Sequence, residues 1–221
     1  MAEDHRCNSI VIDSTHAVSE LCVLCAQSGT DKCVLRKDSG GHRHPYTVPY
    51  TLLFEPLRGK PIKFLELGVF RGASVVAWRR YFDKARIYGY DNDVAALSHI
   101  PVLPNVQCSN VDVSKRDTLL VALTRDTADG ELFDVILDDA AHNVVDQSLL
   151  IQEGLRFVKP GGLLIIEDVF RDKPEADYIP ALEAAISANL ISFYTFIVCD
   201  HVDRWSPGWN NDKMLVLFRK A

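Results

Sequence analysis

The sequence predicts an α/β fold: a Rossmann-like, doubly wound, seven-stranded and mostly parallel sheet with helices on both faces and a small N-terminal helical cap. Three observations predict it. Downstream of Pro61, short apolar runs alternate with longer stretches of helical period, the signature of βαβ units around a parallel sheet. The 221 residues are 48% hydrophobic and 24% charged, enough to bury the core of one domain with a short appendage. Acids and glycines gather where the apolar runs end, and open α/β sheets bind ligands beyond the carboxyl ends of their strands.

Taken in chain order, Ser14 to Gln27 reads as a helix, with Ser14 as its N-cap and Gly29 just past its end. A polar loop from Gly29 to Tyr46 contains Asp38-Ser39-Gly40-Gly41, and Val48 to Leu57 reads as a second helix before the turn Arg58-Gly59-Lys60-Pro61. Residues 1–61 therefore form the expected helical cap or lid, and 62–221 the main domain. Strands are expected at Lys63–Leu67, Arg86–Tyr90, Val106–Cys108, Phe133–Leu137, Gly162–Glu167, Phe193–Val198 and Met214–Phe218. Helices are expected at Ser74–Phe82, Asp93–Ser98, Arg116–Leu123, Val144–Phe157 and Ala176–Ala188. No helix separates the last two strands, so they are expected to pair antiparallel.

Charge and cysteine usage narrow the function classes. The net charge is −6 without a basic stripe, which excludes a nucleic acid or an anionic membrane held by long-range attraction. No run of about 18 apolar residues is present, so no membrane-spanning helix is expected. The start, Met1-Ala2-Glu3-Asp4-His5-Arg6, lacks the basic-then-apolar pattern of a secretory leader, and a cytoplasmic protein is expected. Of the six cysteines (Cys7, Cys22, Cys25, Cys33, Cys108 and Cys199), Cys22 and Cys25 form a C-x-x-C with Cys33, His42 and His44 downstream. No second pair completes a zinc set, and Val18, Leu21, Cys22, Leu24 and Cys25 share helical spacing, so the thiols read as small hydrophobes on a core-facing helix.

The strand ends carry the chemistry. The first ends Glu66-Leu67-Gly68-Val69-Phe70-Arg71-Gly72-Ala73-Ser74. Gly68 and Gly72 let the backbone turn tightly near a ligand, Ser74 can cap the next helix, and Glu66 would repel phosphate but pair with an ammonium. A third glycine is missing, which weakens a nicotinamide-dependent oxidoreductase reading. Asp91, ending the second strand, can accept from both ribose hydroxyls. Asp112, before Val113, can accept from an adenine amino group or simply form an Asx turn. The fourth and fifth strands end in Asp138-Asp139-Ala140-Ala141-His142 and Glu167-Asp168. Four carboxylates in one crevice need a cation or shifted pKa values. Oxygen ligands favour Mg²⁺, with Mn²⁺ or Ca²⁺ behind it, and helix capping accounts for only one acid per strand. Beside a metal-bound hydroxyl, the imidazole of His142 is the type of group suited to accept a proton, although a lone histidine also serves structure alone.

These residues resemble a known family. Glu66-x-Gly68-x3-Gly72, Asp91 one strand on, and Lys159-Pro160-Gly161-Gly162 resemble class I S-adenosylmethionine-dependent methyltransferases. More narrowly, five further motifs are similar to the metal-dependent sugar O-methyltransferases of macrolide biosynthesis and their rhamnosyl relatives. These are Gly29-Thr30-Asp31-Lys32, His44-Pro45-Tyr46-x3-Tyr50, Trp78-x2-Tyr81-Phe82, Asp139-x2-His142 and Ile166-Glu167-Asp168. The resemblance implies Mg²⁺ on Asp139, Glu167 and Asp168, with His142 as general base. It also implies S-adenosylmethionine held by Glu66, Gly68, Gly72, Ser74, Asp91, Asp112, Val113, Asp138, Thr30, Lys32 and Tyr50. Tyr46 and Tyr50 either close the pocket by packing on the cofactor or sit buried in the core, the commoner outcome; the Asp200–Asn211 loop with its two tryptophans either shapes the sugar site or is a solvated connection between the last two strands. A small-molecule or glycan sugar is the implied substrate, a catechol-type acceptor the alternative, and family assembly leaves a homo-oligomer open.

Overall fold

The protein is described from a computed structural model, which covers residues 9–36 and 41–221. Cys7, the acidic start Met1–Arg6 and the Asp38-Ser39-Gly40 part of the predicted loop lie outside the described residues.

One eight-stranded sheet organises the chain in the order β1-β7-β8-β6-β5-β2-β3-β4. The strands are β1 (Ile10–Asp13), β2 (Lys63–Leu67), β3 (Arg86–Asp91), β4 (Val106–Asn110), β5 (Phe133–Asp138), β6 (Val158–Ile166), β7 (Ile191–Asp200) and β8 (Lys213–Arg219). The expectation of seven strands in a mostly parallel sheet is corrected on two counts. The sheet is mixed, because β8 lies between β6 and β7 and runs antiparallel to both. A further strand, β1, pairs in parallel with β7, aligning Ile10 with Ile197 and Asp13 with Asp200. Four residues of mostly exposed pattern carry too little periodicity to be read as a strand beforehand.

The helices are α1 (Glu20–Ser28), α2 (Thr47–Phe54), α3 (Ala73–Tyr81), α4 (Val94–Leu97), α5 (Arg116–Asp126), α6 (Val144–Gly154) and α7 (Ile179–Ser187). The first helix begins later than expected. Ser19, not Ser14, caps it, its hydroxyl accepting from the Cys22 N–H, while Ser14 hydrogen-bonds the Asp200 carbonyl beyond the end of β1. Gly29 ends α1 as anticipated, in the left-handed region at φ 81°. No helix among the described residues is long and apolar enough to cross a membrane.

Alternation along the strands splits the interior into two cores. Phe64, Val135, Leu137, Ile165 and Val216 face one side, where α1, α2 and α3 supply Leu21, Cys25, Tyr50, Phe54 and Trp78. Leu65, Ile136, Leu164, Ile166 and Leu217 face the other, under α5, α6 and α7. Residues on both sides of the expected 61/62 boundary therefore share a single core, and Cys22, Cys25 and Cys33 are buried in it as free thiols.

Chain order reverses between β2, which pairs with β3, and β5 on its other side, and this switch point opens the crevice at the strand ends. Backbone bonds tie the tips together: Gly68 N–H donates to the Tyr90 carbonyl (2.8 Å), Asp139 N–H to Leu67 (2.8 Å) and Glu167 N–H to Asp138 (2.9 Å). Gly68 is required here twice over. Its φ is +85°, and a Cβ would lie 2.0 Å from the Asp139 carbonyl oxygen. Gly130 has the same backbone hand, φ +81°, with nothing within 4 Å of a Cβ. We expect Gly130→Ala to cost about 1–2 kcal/mol, the left-handed backbone alone. Gly68→Ala should cost at least about 2 kcal/mol more, because the tips of β2 and β5 must separate. Urea unfolding midpoints of the two variants measure the difference.

Candidate active site

A cleft of about 710 Å³ lies over the carboxyl ends of β3, β2, β5 and β6. Of the residues singled out above, Thr30, Gly68, Ser74, Asp91, Asp112, Val113, Asp139, His142 and Asp168 line it. Glu66, Gly72, Lys32, Tyr50, Asp138 and Glu167 do not; they form the layer behind its wall. Asp91 accepts backbone N–H bonds from Phe70 (2.6 Å) and Asp93 (2.9 Å), which fixes its carboxylate at the mouth of the cleft. Asp112 makes the Asx-type turn, accepting from Ser114 N–H at 3.2 Å and from its hydroxyl at 2.6 Å.

Ser74 does not cap its helix; Gly72, in the left-handed region at φ 80°, takes the cap position of α3. The Ser74 hydroxyl instead donates to Glu66 Oε2 at 2.7 Å, and Trp78 Nε1 donates to the same oxygen at 3.1 Å. Glu66 does pair with an ammonium, as its position suggested, but the ammonium is that of Lys32.

Lys32 is the group that sequence reasoning did not resolve. Its side chain runs inward from the loop after α1, is 1% exposed, and hydrogen-bonds Asp139 Oδ2 and Glu167 Oε2, with Glu66 Oε1 3.3 Å away. Burial works against its charge, yet the carboxylates of Asp139, Glu167 and Glu66 hold its pKa well above the ordinary lysine value. Crowding is relieved on the acid side as well. Burial pushes Glu66 and Asp138 each up to about 7, and Glu167 well above the usual carboxylate range. A cation and shifted pKa values are thus both present.

Of the two readings of the tyrosines, the structure shows the buried one. Tyr46 and Tyr50, one turn apart, lie beneath the acid pair at the end of β6 rather than over a cofactor. Tyr50 donates to Glu167 Oε1, and Tyr46 Oη lies 2.6 Å from Asp168 Oδ1 and accepts from Asp168 N–H at 3.2 Å. Each tyrosine secures one acid. Both rings are fully enclosed because they belong to the aromatic core, Tyr50 stacking on Phe54 with centroids 5.0 Å apart. Lys32 and Tyr50 accordingly act on the site from behind.

On the open side, ligand atoms of Asp139, His142 and Asp168 lie within 4.8 Å of one another. His142 sits in the left-handed region at φ 49°, with Nδ1 3.4 Å from Asp168 Oδ2. That nitrogen is buried without a hydrogen-bond partner. Two carboxylates beside an orphaned imidazole nitrogen fit a hard divalent ion, since the donor set is oxygen-rich and an unmet polar atom faces it.

Around this cluster stands an aromatic wall. Trp209 meets His142 edge-on at 5.9 Å and His42 at 5.5 Å, with Phe170 at 6.0 Å. Only one of the two loop tryptophans lines the cleft; Trp205 instead bridges backbone-to-backbone with Arg43. His44 stacks on Tyr46 at 5.1 Å, and its Nδ1 is 2.8 Å from Asp212 Oδ1. Burial opposes the His44 charge, but the Asp212 hydrogen bond and the Asp168 charge raise its pKa overall, and Asp212 itself is lowered despite its burial, with His44 and Arg204 as partners. Stability from a raised histidine is complete below its unfolded pKa, near 6.5, and is lost as pH climbs through the folded value. We expect His44→Asn to cost about 1.5–3 kcal/mol at pH 5.5, as for a hydrogen bond to a charged group. The cost should shrink in alkaline buffer, and thermal unfolding at both pH values measures it.

No family model matches the chain. Among curated proteins, it is 29% identical over 159 residues to 8-demethyl-8-(2-methoxy-α-L-rhamnosyl)-tetracenomycin-C 3′-O-methyltransferase of Streptomyces olivaceus, covering 69% of this chain and 38% of that protein. It is 27% identical over 150 residues to the 8-demethyl-8-α-L-rhamnosyl tetracenomycin-C 2′-O-methyltransferase of the same organism, covering 64% and 36%. The chain thus spans little more than a third of the length of these relatives. Among solved structures, the MycE methyltransferase of mycinamycin biosynthesis, in complex with Mg, SAH and mycinamycin VI, superposes with a TM-score of 0.67 at 21% identity over 92% of this chain and 55% of that one. The sequence relatives are sugar O-methyltransferases, and the fold is that of a class I S-adenosylmethionine-dependent methyltransferase.

Proposed function

We propose that the chain transfers the methyl group of S-adenosylmethionine to a hydroxyl of a sugar on a small-molecule glycoside or glycan, with a rhamnose-type deoxysugar as the first candidate. A divalent ion, Mg²⁺ first, would be held by Asp139, Glu167 and Asp168, and His142 would be the general base. The observation that carries this reading is the placing of one ion-competent cluster, Asp139, His142 and Asp168, in the same cleft as strand-end groups suited to a nucleoside. When bound, the ion supplies Lewis acidity toward a sugar hydroxyl and the cofactor supplies an electrophilic methyl.

The chain's own residues do the rest. Asp91 would offer acceptors to the ribose hydroxyls, with Asp112 and Val113 beside the adenine. Gly68, Ser74 and Thr30 would hold the methionine part, with Gly72, Glu66, Asp138, Lys32 and Tyr50 supporting that wall from behind. His142 would take the proton of the acceptor hydroxyl on its imidazole. Asp168 Oδ2, 3.4 Å from His142 Nδ1, faces the charge that develops there. Trp209 and Phe170 offer aromatic surface against the apolar face of a sugar ring, beside the polar groups of His42 and the acids. Holding hydroxyl, methyl and sulfur in line supplies the remaining acceleration.

Methyl transfer from S-adenosylmethionine to simple rhamnosides and related deoxysugars, with catechols as the competing class, tests the reading. We expect turnover on glycosides, its loss on removal of divalent ions with EDTA and its return with Mg²⁺. His142→Ala should lower kcat by about 10²–10⁴-fold, the usual contribution of a general base. Full turnover in EDTA, or turnover on catechols alone, overturns the reading.

A further inference from the structure

Three histidines line the cleft, His42, His44 and His142, and the surroundings of their nitrogens differ. His44 is buried and hydrogen-bonds Asp212 Oδ1 through Nδ1 at 2.8 Å. His142 turns Nδ1 toward Asp168 Oδ2. His42 is half-buried, hydrogen-bonds Ser206 Oγ through Nδ1 at 2.8 Å, and has no partner for Nε2 among the described residues. We propose that His42 is a specificity-determining residue of the acceptor side, whose Nε2 accepts a hydrogen bond from a second hydroxyl of the sugar, distinct from the one that is methylated. The inference rests on the sugar O-methylation reading above and deepens it, since it assigns a residue to the part of the acceptor that does not react.

Three observations carry it. First, the ring is held in place. The neighbouring Arg43 pairs with Trp205 through two backbone bonds, 2.7 and 3.0 Å, which clamps this segment against the loop that carries Ser206 and Trp209. His44 stacks on His42 with centroids 5.7 Å apart, and Trp209 meets it edge-on at 5.5 Å. Second, the chain of bonds behind the ring sets its tautomer. Asn211 Oδ1 can only accept, so the Ser206 hydroxyl donates to it at 3.0 Å and accepts from His42 Nδ1–H. An imidazole whose one proton is on Nδ1 carries a lone pair on Nε2, which suits a hydroxyl donor. Third, Trp209 borders His142 edge-on as well, at 5.9 Å. The imidazole assigned to the reacting proton and the one free to accept a second bond therefore flank the same indole. A sugar ring against Trp209 carries hydroxyls around its rim, so one molecule can offer its reacting hydroxyl to His142 and another to His42. A site built to bond a hydroxyl rejects the analogue that lacks it, because its own polar group is left unpaired.

The test removes the two partners of that bond in turn. The parent chain and His42→Phe, which keeps a ring for the stack, are assayed with S-adenosylmethionine and Mg²⁺ on methyl α-L-rhamnoside and its monodeoxy analogues, each lacking one ring hydroxyl. We expect His42→Phe to raise KM for the full sugar about tenfold, the worth of one hydrogen bond, with kcat within about twofold. One analogue that still reacts should show the raised KM with the parent already, and no further rise with the variant. Equal KM for parent and variant on the full sugar overturns the proposal, as does the same rise on every analogue that reacts. A second measurement needs neither turnover nor the variant. The parent, carrying ¹⁵N-labelled histidine and saturated with S-adenosylhomocysteine and Mg²⁺, should show an unprotonated His42 Nε2 by nuclear magnetic resonance, and that resonance should move as methyl α-L-rhamnoside is added. A protonated Nε2, or one unmoved at saturating sugar, overturns the proposal. Failure of the parent to methylate any glycoside would instead defeat the sugar reading on which the proposal stands.

Discussion

Carboxylates taken out of water at the tips of neighbouring strands must be accompanied by a cation or a proton, because the desolvation of an unpaired charge costs several kcal/mol. In this protein five acids, Glu66, Asp138, Asp139, Glu167 and Asp168, sit at the ends of β2, β5 and β6, and the architecture follows from how they are neutralised. Lys32 enters from the loop after α1 and joins three of them. Tyr46, just before α2, and Tyr50, within it, reach up to the other side of the acid pair after β6. The N-terminal helices are therefore bound to the sheet by polar contacts as well as by the aromatic core of Tyr50, Phe54, Phe64 and Trp78.

This arrangement divides labour between two layers. Residues in the cleft wall, such as Asp91, Asp139, His142 and Asp168, face the open space of the cleft. Those behind it are held by donors from several elements. Glu66 is held by α3 and Lys32, and Glu167 by Tyr50 and Lys32, while its backbone carbonyl accepts from Gln147 of α6 at 3.1 Å. A rigid back layer keeps the front one in register, as preorganised sites require. Asp168 belongs to both layers, since it lines the cleft yet is tied to Tyr46.

Much of this was legible beforehand, and the omissions have physical causes. The strands at Lys63–Leu67 and Phe133–Leu137 are legible in their apolar runs, the second running on to Asp138, while β6 starts at Val158 instead of Gly162 and ends at Ile166, just before Glu167-Asp168. Crowding of the acids was also readable, because adjacent doubled carboxylates are a local pattern. Their counter-ion was not, because Lys32 lies 107 residues from Asp139 and 135 from Glu167, in a loop with no periodicity to signal burial. The same distance hides the partners of Tyr46 and Tyr50, so the residues alone leave open whether these rings roof the cleft or lie in the core beneath it. Ser14 resembles a cap in isolation, but its hydroxyl donates to the Asp200 carbonyl at the end of β7.

The pairing of β1 with β7 couples residues 10–13 to residues 197–200, and the tyrosine contacts to β6 bridge 117 and 122 positions. During synthesis the early segments leave the ribosome long before their partners exist. The acid pocket cannot form until Glu167 and Asp168 have been made, and the sheet edge stays incomplete until β7 follows. Such non-local closure slows folding and prolongs the exposure of Ile10, Val11 and Ile12 as an unpaired edge. The first strand in chain order is therefore among the last parts of the sheet to be covered.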